Sequence, residues 1–183
     1  IAGLFQRFTP ADISYYREWY GALELAYAFL AAPARQREDE RLYVPWAPER
    51  LISRQGLMAA GLMVSLLNTE PVARPVAVEV VGAASGNGAP LAVRAAWTER
   101  GELEVLLYHS LPEREQVLVN LEAMREPFMF WVSEQLAGQI DAPRDSAELP
   151  VNILNRAGAA LRQSFYLTLE PSSMTRVCVR KKE

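Results

Sequence analysis

Ser164-Phe-Tyr-Leu-Thr-Leu-Glu-Pro-Ser-Ser-Met-Thr-Arg-Val-Cys-Val-Arg180 is the stretch that decides the fold class. Apolar and polar residues alternate on both sides of a Pro-Ser-Ser turn, the pattern of two half-buried strands folded over that turn. Glu102-Leu-Glu-Val-Leu-Leu-Tyr-His109 alternates in the same way. Segments of this kind complete an antiparallel sandwich. The long helical patterns precede them, so the chain is read as α+β, with two N-terminal helices and then a β-sandwich of about seven strands.

The strand pattern begins after a linker at Asn68 to Pro75. The expected strands are Val76–Val81, Leu91–Thr98, Leu103–His109, Gln116–Leu121, Phe128–Ser133, Phe165–Glu170 and Thr175–Arg180. Gly82-Ala-Ala-Ser-Gly-Asn-Gly88 separates the first two. It lacks the Lys-Ser/Thr ending of a phosphate loop and opens no helix, so it is read as a hairpin loop. Glu99-Arg-Gly101 and Leu111-Pro-Glu-Arg114 are read as tight hairpin turns. From Gly138 to Ala160 the alternation fades into a loop, with a short helix expected near Val151–Arg156.

Upstream the period is helical. Thr9-Pro10-Ala11-Asp12 supplies a cap, a proline suited to the first turn and an acid near the positive helix end. Ile13, Tyr16, Tyr20, Leu23, Tyr27 and Leu30 form one stripe, ending near Pro33. A second helix is expected from about Ser53 to Leu67. Leu57, Met58, Leu62, Met63, Val64, Leu66 and Leu67 cover nearly its whole circumference, so it must be buried on several sides. The domain reading is a helical segment over 1–70 and a sandwich over 71–183.

The chain has 183 residues, half of them apolar, and a net charge of −3. That length buries roughly 70% of the unfolded surface. No apolar run reaches the ~18 residues of a membrane span, and the charge gives no reason to expect nucleic acid. Arg180-Lys181-Lys182 is read as a solvated tail. The one cysteine, Cys178, forbids an internal disulfide and is read as a packed, inert thiol. No cofactor motif is found. The chain opens at Ile1 without a methionine or leader, so a processed or truncated N-terminus is expected.

Few residues carry obvious chemistry. With one histidine and one cysteine, metal binding is poorly supported. His109 ends a strand beside a turn and is read as a surface or rim residue. Glu38-Asp39-Glu40 lies among Arg35, Arg37 and Arg41, a solvated loop rather than a carboxylate pair in a cleft. Tyr43, Trp46 and Arg50 are the candidate substrate-binding residues. They occupy a Pro-bounded loop between the helices and could stack on a sugar face, although a tryptophan placed like Trp46 more often simply covers the helix pair. Trp97 and Trp131 are read as packing residues.

Helix, extended segment, buried helix and terminal sandwich is an order that resembles the C-terminal part of retaining glycoside hydrolases with a (β/α)8 barrel and a β-sandwich. The family it most resembles is family 39, which includes α-L-iduronidases and β-xylosidases. Arg54-Gln-Gly-Leu-Met-Ala-Ala-Gly-Leu-Met-Val-Ser-Leu-Leu-Asn68 looks like that family's last barrel helix. Pro10-Ala-Asp-Ile-Ser-Tyr15 looks like the start of the preceding one. Leu103–His109 is similar to a sandwich strand before a polar turn, and Leu167–Val179 looks like the closing hairpin. The resemblance implies that both catalytic carboxylates precede Ile1, so no catalytic residue carries over. It also implies that Tyr43 and Trp46 lie at the barrel mouth, where ligands bind.

The leading expectation is therefore the C-terminal portion of a glycosidase, completed by an upstream barrel portion of the same protein or a partner chain. A carbohydrate ligand is expected, and a secreted or lysosomal compartment if the resemblance holds. The rival is a non-catalytic β-sandwich interaction or scaffold subunit of a larger assembly.

Overall fold

A computed structural model of the chain describes residues 19–31, 52–53, 56–57, 59–67, 72–81, 91–121, 130–138, 151–159 and 163–180. Two helices, α1 (Trp19–Ala31) and α2 (Ala59–Leu67), flank a short antiparallel pair, β1 (Ile52–Ser53) and β2 (Gly56–Leu57). Eight further strands follow. They are β3 (Val72–Val76), β4 (Leu91–Thr98), β5 (Leu103–His109), β6 (Glu115–Asn120), β7 (Phe130–Gly138), β8 (Val151–Gly158), β9 (Ser164–Leu169) and β10 (Ser173–Arg180). The α+β expectation, with helices first and an antiparallel sheet domain after them, holds.

The main sheet has the order β3-β4-β5-β10-β7-β8, and β6 pairs with β9 in a second sheet. Every pairing is antiparallel. Because side chains alternate across a strand, each face of the main sheet builds its own core. Leu106, Leu136 and Met174 pack with Trp19, Leu23, Ala26, Met63 and Leu66 of the helices. Leu103, Val105, Leu107, Val177 and Val179 point the other way, onto Phe165, Leu167 and Leu169 of β9. The result is three layers: helices, main sheet and the β6–β9 pair.

Helix α1 is rich in alanine and leucine, which favour helix. Its buried stripe runs through Trp19, Ala22, Leu23, Leu25 and Ala26. Tyr27 is more exposed but leans on Tyr108, with ring centroids 5.4 Å apart. Arg94 lies 5.0 Å over the Phe29 ring, a cation–π contact from sheet to helix. In α2, Ala59, Ala60, Gly61, Met63, Leu66 and Leu67 are buried. Leu62 and Val64 are half-buried and Ser65 is exposed, so the apolar circumference is covered unevenly.

The topology overturns one reading of the last two strands. β9 and β10 do not form a hairpin with each other. β9 pairs with β6, while β10 lies at the middle of the main sheet between β5 and β7. Pro171 and Ser172 form a corner that carries the chain from one sheet to the other. Ser172 adopts φ 45°, a left-handed conformation uncommon outside glycine, and its N–H donates to Leu111 O at 3.0 Å. Leu111–Arg114 is likewise a corner, between β5 and β6. Local turn residues cannot tell a hairpin from a corner, because long-range pairing chooses between them.

Other boundaries move for local reasons. The helix expected at Val151–Arg156 is strand β8, which among the described residues is an edge strand paired with β7 alone. Its two faces are both partly exposed, so no period-two pattern marks it. The first sandwich strand lies at Val72–Val76, starting within the expected linker and ending where the expected strand begins, and residues 77–81 lie outside any strand. Pro75 is accommodated because β3 is an edge. Helix α2 starts at Ala59 because Gly56 and Leu57 pair with Ile52 and Ser53. β7 runs on to Gly138, beyond the expected end at Ser133. The loop over Gly82–Gly88, the early helix start at Thr9–Asp12 and the extended segment Leu42–Pro48 lie outside the described residues.

Two glycines have physical work here. Gly101 closes the β4–β5 hairpin at φ 76°, with its N–H donating to Thr98 O at 3.0 Å. A Cβ there would meet open space, so only the left-handed backbone opposes substitution. Gly158 is crowded instead. It pairs with Trp131, whose indole would lie 2.9 Å from an added Cβ and stacks on Phe165 at 4.9 Å. Gly158→Ala should thus cost about 1–3 kcal/mol by displacing that ring, and Gly101→Ala about 1 kcal/mol. Denaturant unfolding measures both, and only Gly158→Ala should alter the near-ultraviolet signal of Trp131.

Candidate functional site

The two corners meet, and polar side chains gather where they do. Glu170 ends β9 and Arg114 precedes β6, while Arg156 reaches in from β8. Arg114 donates from Nε at 3.0 Å to Glu170 Oε2, and its second nitrogen lies 2.9 Å from the same oxygen. Arg156 donates to Glu170 Oε1 at 2.7 Å and to Thr168 O at 2.7 Å. The Glu170 side chain is 11% exposed. Burial alone would raise its carboxyl pKa, but hydrogen bonds and charge from Arg156 and Arg114 outweigh that and hold it below the ordinary value.

A second, fully buried layer lies beneath. His109 Nδ1 sits 2.9 Å from Glu170 O. A carbonyl only accepts, so Nδ1 carries the proton. Ser173 Oγ donates to the same carbonyl at 2.7 Å. Gln135 Nε2 donates to Thr175 Oγ1 at 2.7 Å and to Ser173 Oγ at 3.3 Å. His109 Nε2 faces Glu115 Oε2 at 3.3 Å, without hydrogen-bond alignment. Trp19 of α1 completes the cluster from the opposite layer, donating Nε1 to Ser172 O at 2.6 Å.

Serine, histidine and glutamate side by side invite a nucleophilic reading, and the geometry refuses it. Ser173 and His109 both donate to one carbonyl, so the imidazole is not placed to take the hydroxyl proton. Both residues are 0% exposed, out of reach of a substrate. Glu170 accepts from two guanidinium groups, which engage both of its oxygens and hold it as their counter-ion rather than as a base. The arrangement is a clamp that fixes two sheets and a helix around two corners. Among the described residues no group of three His, Cys, Asp or Glu side chains could hold a metal ion. None of the described helices is long and apolar enough to cross a membrane.

The sequence-derived candidates fare unevenly. Tyr43, Trp46 and Arg50 lie outside the described residues, as does Glu38-Asp39-Glu40. His109 is wholly buried and not at the rim, because β5 turns it inward against Glu170 and β6. Trp131 packs as expected, and Trp97 is half-buried against the same core. Cys178 is half-buried, and burial, with Glu104 and Glu102 nearby, keeps its thiol pKa raised against the opposing pull of Arg176 and Arg180. Glu170, Arg156, Gln135 and Thr175 were not singled out from sequence. Gln135 alternates with Trp131, Ser133 and Ala137 on one strand face, and a glutamine at such an inward position was the available signal.

No protein-family model matches the chain, and no curated protein matches its sequence. Solved structures do share its fold. One is a family 30 endoxylanase from Clostridium papyrosolvens C71, with 11% identity and a TM-score of 0.58, over 90% of this chain and 39% of that one. Another is an arabinose-bound family 51 α-L-arabinofuranosidase, with 11% identity and a TM-score of 0.56, over 67% of this chain and 19% of that one. These neighbours are glycoside hydrolases, of families other than 39. At such identity the likeness establishes the fold, and the chain spans well under half the length of either protein.

The clamp makes a pH prediction. A carboxyl whose folded pKa is lowered adds stability above its unfolded value, roughly 4.3, and that stability is lost as pH falls through the folded value. Unfolding free energies of wild type and Glu170→Gln should therefore differ most at neutral pH and converge in acid below about pH 4. A constant difference across that range would exclude the two-arginine clamp as its source.

Proposed function

We propose that this chain is the C-terminal portion of a retaining glycoside hydrolase that acts on the glycosidic bonds of a polysaccharide or glycosaminoglycan. Its catalytic carboxylates lie outside the chain, in an upstream barrel portion. α1 and α2 are the last barrel helices, and the sandwich buttresses them. Tyr43, Trp46 and Arg50 contribute to the substrate rim.

One observation carries the reading. The helix pair and the main sheet share a single core through Trp19, Met63, Leu66, Leu106, Leu136 and Met174. Barrel end and sandwich would thus be one folding unit, and the likeness to the endoxylanase extends over 90% of the chain, too much for the sandwich alone. The clamp is consistent with a supporting role, since it is built from satisfied groups and not from a reacting pair. The family 39 reading rests on the sequence resemblance and requires a glutamate after the fourth and after the seventh barrel strand. The non-catalytic alternative, a sandwich subunit of an assembly, shares the clamp but not those glutamates.

The test compares the complete gene product with residues 1–183 alone on a panel of aryl glycosides, following product anomers by NMR. Hydrolysis with retained configuration by the longer protein only is expected. Turnover by the 183-residue chain alone, or inversion, would reject the reading. In the active protein, Trp46→Ala should raise KM roughly tenfold, the loss of one stacking contact.

A further inference from the structure

The face of the β6–β9 pair turned away from the core sets two exposed large apolar side chains among uncharged polar ones. Its inward residues, Phe165, Leu167 and Leu169, are buried. Its outward residues are Gln116, Leu118 and Asn120 on β6 and Ser164, Tyr166 and Thr168 on β9, set opposite one another as Gln116↔Thr168, Leu118↔Tyr166 and Asn120↔Ser164. Tyr166 is 64% exposed and Leu118 53%. We propose that this face is a non-catalytic binding platform for an uncharged glycan chain.

Three features select that ligand. Tyr166 is exposed, and a phenol ring can offer its electron-rich face to the axial C–H groups of a pyranose, while the Gln116 amide and Thr168 hydroxyl beside it suit the hydroxyls of a sugar. None of the six outward side chains is charged, although 22% of the chain is. A sulfated or uronate-rich chain would find no ion pair among them. Area argues against a protein partner. Tyr166 and Leu118 offer on the order of 200 Å² of apolar surface, against roughly 450 Å² of apolar area per side in a stable interface. Three residue pairs extend the strip about 13 Å along the strands, a length suited to a short run of sugar rings.

The biological relevance of a glycan rests on the glycoside hydrolase reading, whereas the chemistry of the face does not. It also narrows that reading, because it favours neutral polysaccharide over glycosaminoglycan. Affinity electrophoresis of the full chain in gels holding soluble arabinoxylan, xyloglucan, mixed-linkage β-glucan or hyaluronan provides the test. Retardation by at least one neutral polymer and not by hyaluronan is expected, with little dependence on salt. Tyr166→Phe should keep it and Tyr166→Ala should weaken it roughly tenfold. Tyr166 is exposed, so an unchanged melting temperature should certify the alanine variant, and Gln116→Ala is a second probe if it does not fold. No retardation in any neutral gel, equal retardation of Tyr166→Ala, or loss of a dimer in Tyr166→Ala without loss of retardation would overturn the proposal. Hydrolysis by the complete protein without such binding sinks this inference alone. Binding without hydrolysis sinks the functional reading and leaves the platform standing.

Discussion

Glu170, gripped by Arg114 and Arg156, holds the place where the chain twice leaves one sheet for another. β5 runs into β6 through residues 110–114, and β9 runs into β10 through residues 170–172. β5 pairs with β10 and β6 with β9, so the two crossings are the adjacent strands of one ribbon bent over itself. A bend of this kind strips backbone groups of their ladder partners. The lost bonds are replaced locally: Ser172 N–H to Leu111 O, and His109 and Ser173 to Glu170 O. Buried polar groups left unpaired cost more than most single contacts gain, which is why so much hydrogen bonding is concentrated there.

The bend also ties the layers together. Its Ser172 carbonyl accepts from the fully buried Trp19 of α1, so helix position and ribbon corner are set jointly. β10 leaves the corner and becomes the strand shared by both cores, with Met174 toward the helices and Val177 and Val179 toward β9. Until β10 is seated, β5 and β7 have no common neighbour and neither core is complete. Long-range pairings of this kind make closure of the sheet a late and cooperative event.

Sequence made part of this legible. Leu103–His109, Leu91–Thr98 and the segments flanking Pro171 were legible as strands because they are apolar and β-branched runs bounded by turn residues, although β5 and β10 prove to be buried on both faces. β8 was not, because an edge strand with both faces half-wetted needs no alternation. Pairing order was invisible at Pro171-Ser172, where the same residues serve a hairpin or a corner. The clamp was hidden for a related reason. Arg114, Arg156 and Glu170 stand far apart in the chain, and each looks like ordinary surface charge until the topology brings them together. Tyr166 was read as one step in an alternating strand, and only its exposed place on the small sheet gives it a second meaning.

The bent ribbon behaves as one unit locked at its corners. Native-state hydrogen exchange under increasing denaturant measures this directly, using the amides of β6 and β9 against those of β5 and β10. All four strands should open with the same free energy and the same denaturant dependence. A β6–β9 pair that opens at much lower free energy while β5 and β10 stay protected would contradict it.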